Sequence, residues 1–271
     1  MWAIAKKDMK AIGANLQVWL PMLILPALLG VVLPGVIIGL TAFMSMDSPD
    51  MQEMAAWVSK INLGPISAKL AAMTSLNQQI AFVVANYMLA PFFVLIPLMT
   101  ASVVSADSFA GEKERGTFET LLFAPVDLKS LFAGKFLASF IPAVGLSLAS
   151  FVLCGITVNA LGWKLFRGIF FPQLNWLPMI LLVMPLLSAG AVLANVFISA
   201  KVSSFQAAYQ MGGVLVLPFL LLLVGQMSGV LVLGTGALLA IAAVLAVIDA
   251  ILLQLLLKNL NRTALFESQV R

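Results

Sequence analysis

Hydrophobic positions in this chain come mostly as unbroken runs, not as alternations. Runs of about 20 apolar residues or more occupy residues 17–43, 78–105, 133–160, 176–200, 206–228 and 231–257 and predict six membrane-crossing helices. Shorter patterns lie between them. Residues 2–14 place Trp2, Ala5, Met9 and Ile12 near one helical face, with Lys6, Lys7, Asp8 and Lys10 largely on the others. That predicts a short helix lying in the membrane interface, lysines toward headgroups and water. Between the first two runs, Met51, Met54, Val58 and Ile61, then Ile66, Leu70 and Met73, predict two weak interfacial helices broken at "NLGP". The turn near Gln226 to Gly229 is very short and predicts a tight hairpin of the last two spans. Nine of the 13 prolines lie inside spans and predict kinks, which shape the bundle or let it hinge.

Composition agrees with this class. The chain has 271 residues, 62% of them hydrophobic, and only 15 basic and 11 acidic side chains. An all-α integral membrane protein follows, organised as a single domain over residues 1–271, with no room for a separate soluble domain between spans. The chain has no histidine and one cysteine, Cys154, which excludes His-metal sites, Ser-His nucleophile pairs and intrachain disulfides. No basic patch is interleaved with aromatics, so nucleic acid is not an expected partner; the lipid bilayer is.

Charge sets the expected orientation. With the N-terminus inside, the inner segments hold Lys6, Lys7, Lys10, Lys113, Arg115, Lys129, Lys135, Lys201, Lys258, Arg262 and Arg271. The outer segments hold Lys60, Lys69, Lys164 and Arg167. This bias puts both termini in the cytoplasm and residues 44–77 outside, as the longest extracytoplasmic loop. The second outer loop, "GWKLFRGIFFPQLNW", suits the aromatic and basic headgroup belt.

One stretch departs from the oily background. "ADSFAGEKERGTFETLLFAP", residues 106–125, carries Asp107, Glu112, Lys113, Glu114, Arg115 and Glu119 between two apolar spans. Residues 106–132 form the predicted cytoplasmic connection. Within it Thr117 can cap a small helix whose apolar face is Phe118, Leu121 and Leu122, with Glu119 and Thr120 opposite. Asp127 can cap the next helix, which runs into span three. A lipid-resting loop would carry excess positive charge, yet residues 107–135 hold four basic and five acidic side chains. Mixed signs suit a protein partner. "GEKERGT" is not a phosphate-binding loop, because Thr117 directly follows Gly116 with no lysine between.

"SFAGEKERGTFETLLFAPV" followed by "LFAGKFL" resembles the cytoplasmic motif of the type-2 ABC transporter permeases, in which a "GEKExGTxExLLxxP" pattern follows the second span and "GK" opens the third. The amphipathic start, the six spans and the length are similar to that family as well. The resemblance implies a permease subunit of an ATP-driven exporter in the cell membrane, working as a dimer with a second copy or a paralogue. It implies that the short helix is a coupling helix docked on a separate ATPase subunit. Glu112, Lys113, Glu114 and Arg115 would shape the end of span two, and Thr117, Phe118, Glu119, Thr120, Leu121 and Leu122 would belong to the docking helix. No catalytic, cofactor-binding or metal-binding residue is expected in this chain; ATP and magnesium would sit on the partner ATPase subunit. Two rivals stay open: an ABC-linked membrane sensor or anchor without transport, and an intramembrane enzyme.

Inside the spans, Asp249 lies nine residues before Lys258, about 13 Å into the last helix at ~1.5 Å per residue. Such a carboxyl is protonated, paired, or facing a wet cavity, and it is a candidate intramembrane polar site. Asn86, Asn195, Gln206 and Gln210 read as helix–helix contacts first and pathway lining second.

Overall fold

The computed structural model describes residues 1–43, 49, 52–53, 55–56, 67–117, 127–228 and 233–259. Among these there is no β-strand. Helix α1 (Trp2–Ala14) is followed by α2 (Val18–Phe43), the short α3 (Ser67–Ala71), α4 (Leu76–Glu114), α5 (Leu128–Phe166), α6 (Trp176–Lys201), α7 (Phe205–Gln226) and α8 (Thr235–Lys258). Six of these helices, α2 and α4 to α8, are long and apolar enough to cross a bilayer, which makes this a multi-pass membrane protein.

Helix α4 is the axis of the bundle. Its apolar stretch is mostly buried, and α5 and α6 are its principal neighbours. Helices α7 and α8 keep most of their surface outward, with Leu221, Val224, Val247 and Ile251 exposed. Small residues permit close approach where α2 crosses α5: a Cβ on Gly30 would lie 2.9 Å from Ser150 Cβ.

Helices α4 and α5 each run 39 residues, about 58 Å at ~1.5 Å per residue, far beyond a hydrocarbon core of about 30 Å. The sequence placed the end of span two near residue 105 and the start of span three near 133. Hydropathy detects only the part of a helix in hydrocarbon. Past Ser105 the chain stays helical through Glu112, Lys113 and Glu114, because Glu and Lys are good helix formers. Helix α4 then stops at Gly116, whose φ of 66 is a left-handed C-terminal cap that glycine adopts without strain. At the other side of the connection Asp127 caps α5, accepting from the Ser130 N–H at 3.3 Å.

Five irregular turns interrupt the helices. Residues 28–32, 84–88, 107–111 and 179–183 form π-helical turns, and 214–216 a 3₁₀ turn. Four are explained by a proline that follows. Pro34, Pro91, Pro185 and Pro218 clash with the carbonyl four residues back, which falls on Gly30, Tyr87, Leu181 and Val214, each inside an irregular turn. The turn at Asp107–Gly111 has no such proline and needs another cause.

The loop 167–175 is divided: Arg167, Ile169 and Leu174 stay exposed, as a headgroup belt requires, while other residues turn inward. Phe170 and Phe171 are buried, and Asn159 accepts from both of their N–H groups while donating to the Phe171 carbonyl. Asn86, fully buried, donates to the Phe82 and Phe170 carbonyls and accepts from the Gln173 N–H. Trp163 stays exposed as expected of an interfacial residue, but Trp176 closes an aromatic cluster with Phe93, Phe151 and Phe171. This cluster marks the end of the bundle opposite α1. Of the remaining membrane amides, Asn195 is buried and donates to the Ala191 carbonyl, whereas Gln206 and Gln210 are exposed.

Candidate functional site

At the α1 end of the bundle, charges that the hydropathy pattern leaves outside the membrane converge inside the protein. Helix α1 turns Ala5, Asp8 and Ile12 inward, at the i, i+3, i+7 spacing of one helical face. This corrects the expected arrangement, in which Asp8 pointed away with the lysines. Lys135, seven residues into α5, explains the difference. It is 0% exposed, and a buried ammonium is tolerated only when paired and hydrogen-bonded. Its Nζ lies 2.5 Å from Glu112 Oε2 and 3.4 Å from Asp8 Oδ2, and it donates to the Ser108 carbonyl. Phe109 lies under the same ammonium, 5.4 Å from Nζ to its ring centre.

The cluster extends outward from Lys135. Ser108 donates its hydroxyl to Asp8 at 3.0 Å. Lys7 bonds Glu112 Oε1 at 2.9 Å from a half-exposed position. Partial burial works against the Lys7 charge, yet the hydrogen bond and charge of Glu112, and then Asp8, outweigh it and hold its pKa above the ordinary lysine value. Arg115 pairs with Asp107 at 2.9 Å and also donates to the Asp107 carbonyl. Asn15, the residue between α1 and the following helix, donates to Asp107 at 3.5 Å.

Two of these bonds account for the unexplained irregular turn. Lys135 takes up the Ser108 carbonyl and Arg115 the Asp107 carbonyl. Side chains inserted into the backbone ladder of a helix are a known cause of such a turn.

Each sequence-predicted site residue that is described has a definite place. Glu112 is 6% exposed and faces inward. Lys113 donates to the Val202 carbonyl and Glu114 accepts from the Phe205 N–H, so both reach the α6–α7 turn. Arg115 folds back on Asp107, and Thr117 donates its hydroxyl to the Glu112 carbonyl at 3.2 Å. Phe118, Glu119, Thr120, Leu121 and Leu122 lie outside the described residues. Lys135, Asp8, Lys7 and Ser108 are members to which the sequence reading gave no site role. The available signal was one acid among the lysines of an interfacial helix.

Asp249 lies far from this cluster. It is 9% exposed, its Oδ1 would be 2.6 Å from a Cβ on Gly190, and neither carboxylate oxygen has a hydrogen-bond partner among the described residues. The geometry is that of helix packing, a side chain seated on a glycine. Asp249→Asn, which keeps the size, is therefore expected to leave expression and assembly within about twofold of wild type. Gly190→Val is expected to lower thermal stability clearly, by forcing α6 and α8 apart. Measuring both by thermal unfolding in detergent tests this. A well-assembled Asn variant that has lost activity would make Asp249 a pathway carboxyl.

A half-open surface groove of about 310 Å³ lies between α2, α4 and α7, lined by Leu20, Met22, Leu25, Met99, Val103 and Tyr209 among others, almost entirely apolar. No group of three or more acidic, His or Cys side chains able to hold a metal occurs among the described residues.

A family model described as "ABC-2 family transporter protein" matches residues 2–266, nearly the whole chain. The chain belongs to the ABC-2 transporter family. Neither the curated proteins nor the solved structures returned a match. The membership makes the chain a membrane transport component of the permease kind, and the charged end of α4 coincides with the motif on which the resemblance rests.

Proposed function

We propose that this chain is the permease subunit of an ATP-driven exporter in the cell membrane. Two copies, or one copy and a paralogue, build the translocation pathway, and separate ATPase subunits dock on residues 117–123. ATP and its magnesium ion bind to those subunits, and this chain carries no catalytic residue. The family membership carries the reading. The layout around residue 117 supports it: the docking segment hangs between α4 and α5, the two longest helices, so a push on it acts on both as levers. The largely apolar spans, in a chain 62% hydrophobic, suit an amphipathic or hydrophobic cargo.

The test is co-purification with the cognate ATPase subunit, followed by reconstitution into vesicles and assay of ATP-driven movement of amphipathic dyes. Movement that requires ATP supports export. A stable complex that hydrolyses ATP under regulation by the permease and moves no tested dye favours the sensor reading.

Orientation is tested separately. In a Cys154→Ala background, cysteines at Ser59 and Ser203 are expected to react with impermeant maleimide from opposite sides. Ser203 is used because its neighbour Ser204 caps α7 through the Ala207 N–H. Reaction from the same side overturns the six-span topology, and reaction of position 59 from the cytoplasmic side overturns the orientation with both termini in the cytoplasm.

A further inference from the structure

The charged end of α4 is bonded to three other parts of the chain. Glu112 reaches α1 through Lys7 and α5 through Lys135. Lys113 and Glu114 reach the α6–α7 turn. Asp107 meets Asn15, the residue that follows α1 in the short connection to α2. The segment beginning at Thr117 thus leaves from a node where four parts of the bundle meet. Lys135 is the one buried cation among the described residues, and it faces two carboxylates, Asp8 and Glu112.

We propose that Glu112 and Lys135 are positioning residues: their ion pair ties the end of α4 to α5 and, through the partners Lys7 and Asp8, clamps α1 onto both, so that the segment after Gly116 moves only as one body with α1. The transmission half of this proposal rests on the coupling reading above; the clamp half does not. The physical reason is asymmetry. An exposed ion pair opens at little cost. Opening this one strands a charge in a buried site, which is strongly unfavourable. The clamp therefore stays closed while the segment beyond it is pushed, and the displacement passes to α1 and through Asn15 to α2. Lys7, on the solvent side, closes the rim of the cluster.

The test uses the full-length permease, expressed with its ATPase subunit, in a Cys154→Ala background. Ala5 is fully buried under α1, and Ala5→Cys is the reporter of a closed clamp. Lys135→Met and Glu112→Gln are each expected to raise the maleimide labelling rate at this position by about tenfold or more, as expected when one partner of a buried pair is removed. Lys135→Arg, which keeps the charge, should label close to the parent. A second reporter, Ala11→Cys on the exposed face of α1, reads transmission. Its labelling should change on trapping with ATP and vanadate in the parent and lose that response in Lys135→Met, while ATP hydrolysis continues.

Unchanged protection at position 5 in both neutral variants overturns the clamp. A full vanadate response with position 5 exposed overturns transmission. Should Lys135→Met fail to insert, Asp8→Asn is read in the same assays, since it removes one carboxylate while keeping the shape. If no ATPase subunit accompanies the parent, the coupling reading falls, and the labelling at position 5 still decides the clamp.

Discussion

The Phe118→Asp/Leu121→Asp double variant is expected to insert normally and to lose its ATPase subunit. The two residues share the apolar face of the short helix read from the motif. Docking that face into a cleft buries two large apolar side chains, each contributing about 1.5–3 kcal/mol. The substitution removes both contributions and adds two carboxylates that must enter the cleft unpaired, at further cost. A net loss of about 4 kcal/mol corresponds to roughly a thousandfold in Kd. Because the substituted residues lie in the connection and not in a span, the bundle itself has no reason to unfold. Co-purification of the ATPase subunit with tagged permease, compared at equal membrane level, reads the result. Retained co-purification with undiminished ATP-driven dye movement would place the docking surface elsewhere.

The largest stability effect is expected at the opposite end. Trp176 is almost fully buried and lies 5.3 Å from the ring centres of Phe93 and Phe151 and 5.1 Å from that of Phe171. It joins α6 to α4, α5 and the loop 167–175. Its indole N–H has no hydrogen-bond partner among the described residues, so truncation loses packing alone. Trp176→Ala leaves a cavity where four rings met, at a cost of about 3–5 kcal/mol. Close packing carries this weight because helix association inside a bilayer depends on van der Waals contact more than on exclusion of water. Trp163→Ala is the control: its side chain is largely exposed at the end of α5, and its loss should change stability by about 0.5 kcal/mol or less. Thermal unfolding of the two variants in detergent should separate them by many degrees. Equal midpoints would mean that the aromatic cluster does not hold the loop.

Much of the architecture was written locally along the chain. Six apolar runs gave six helices of membrane length, because hydrocarbon forces the backbone to satisfy itself within each segment. Asp127 caps α5 as its position before an apolar run implied. Of the prolines expected to kink spans, Pro34, Pro91, Pro185 and Pro218 have an irregular turn at the carbonyl four residues before them, whereas Pro21, Pro26, Pro97 and Pro142 lie within regular helix. The motif from Asp107 to Lys135 was enough to point to the ABC-2 family.

Tertiary structure decided the rest. No periodicity could show that Asp8 meets Lys135, 127 positions away. An acid on an interfacial helix looks solvated until a buried ammonium on another helix requires it. The same holds for Phe170 and Phe171 in the loop 167–175, which are buried while Asn86 and Asn159 bond the loop backbone, whereas Ile169 and Leu174 beside them stay exposed. It holds for Asp249, whose neighbour is the bare backbone of Gly190. Hydropathy and helical spacing are properties of adjacent residues. Desolvation, by contrast, is set by whatever else packs at the same place, so the partners of a buried charge are fixed only when the helices are brought together.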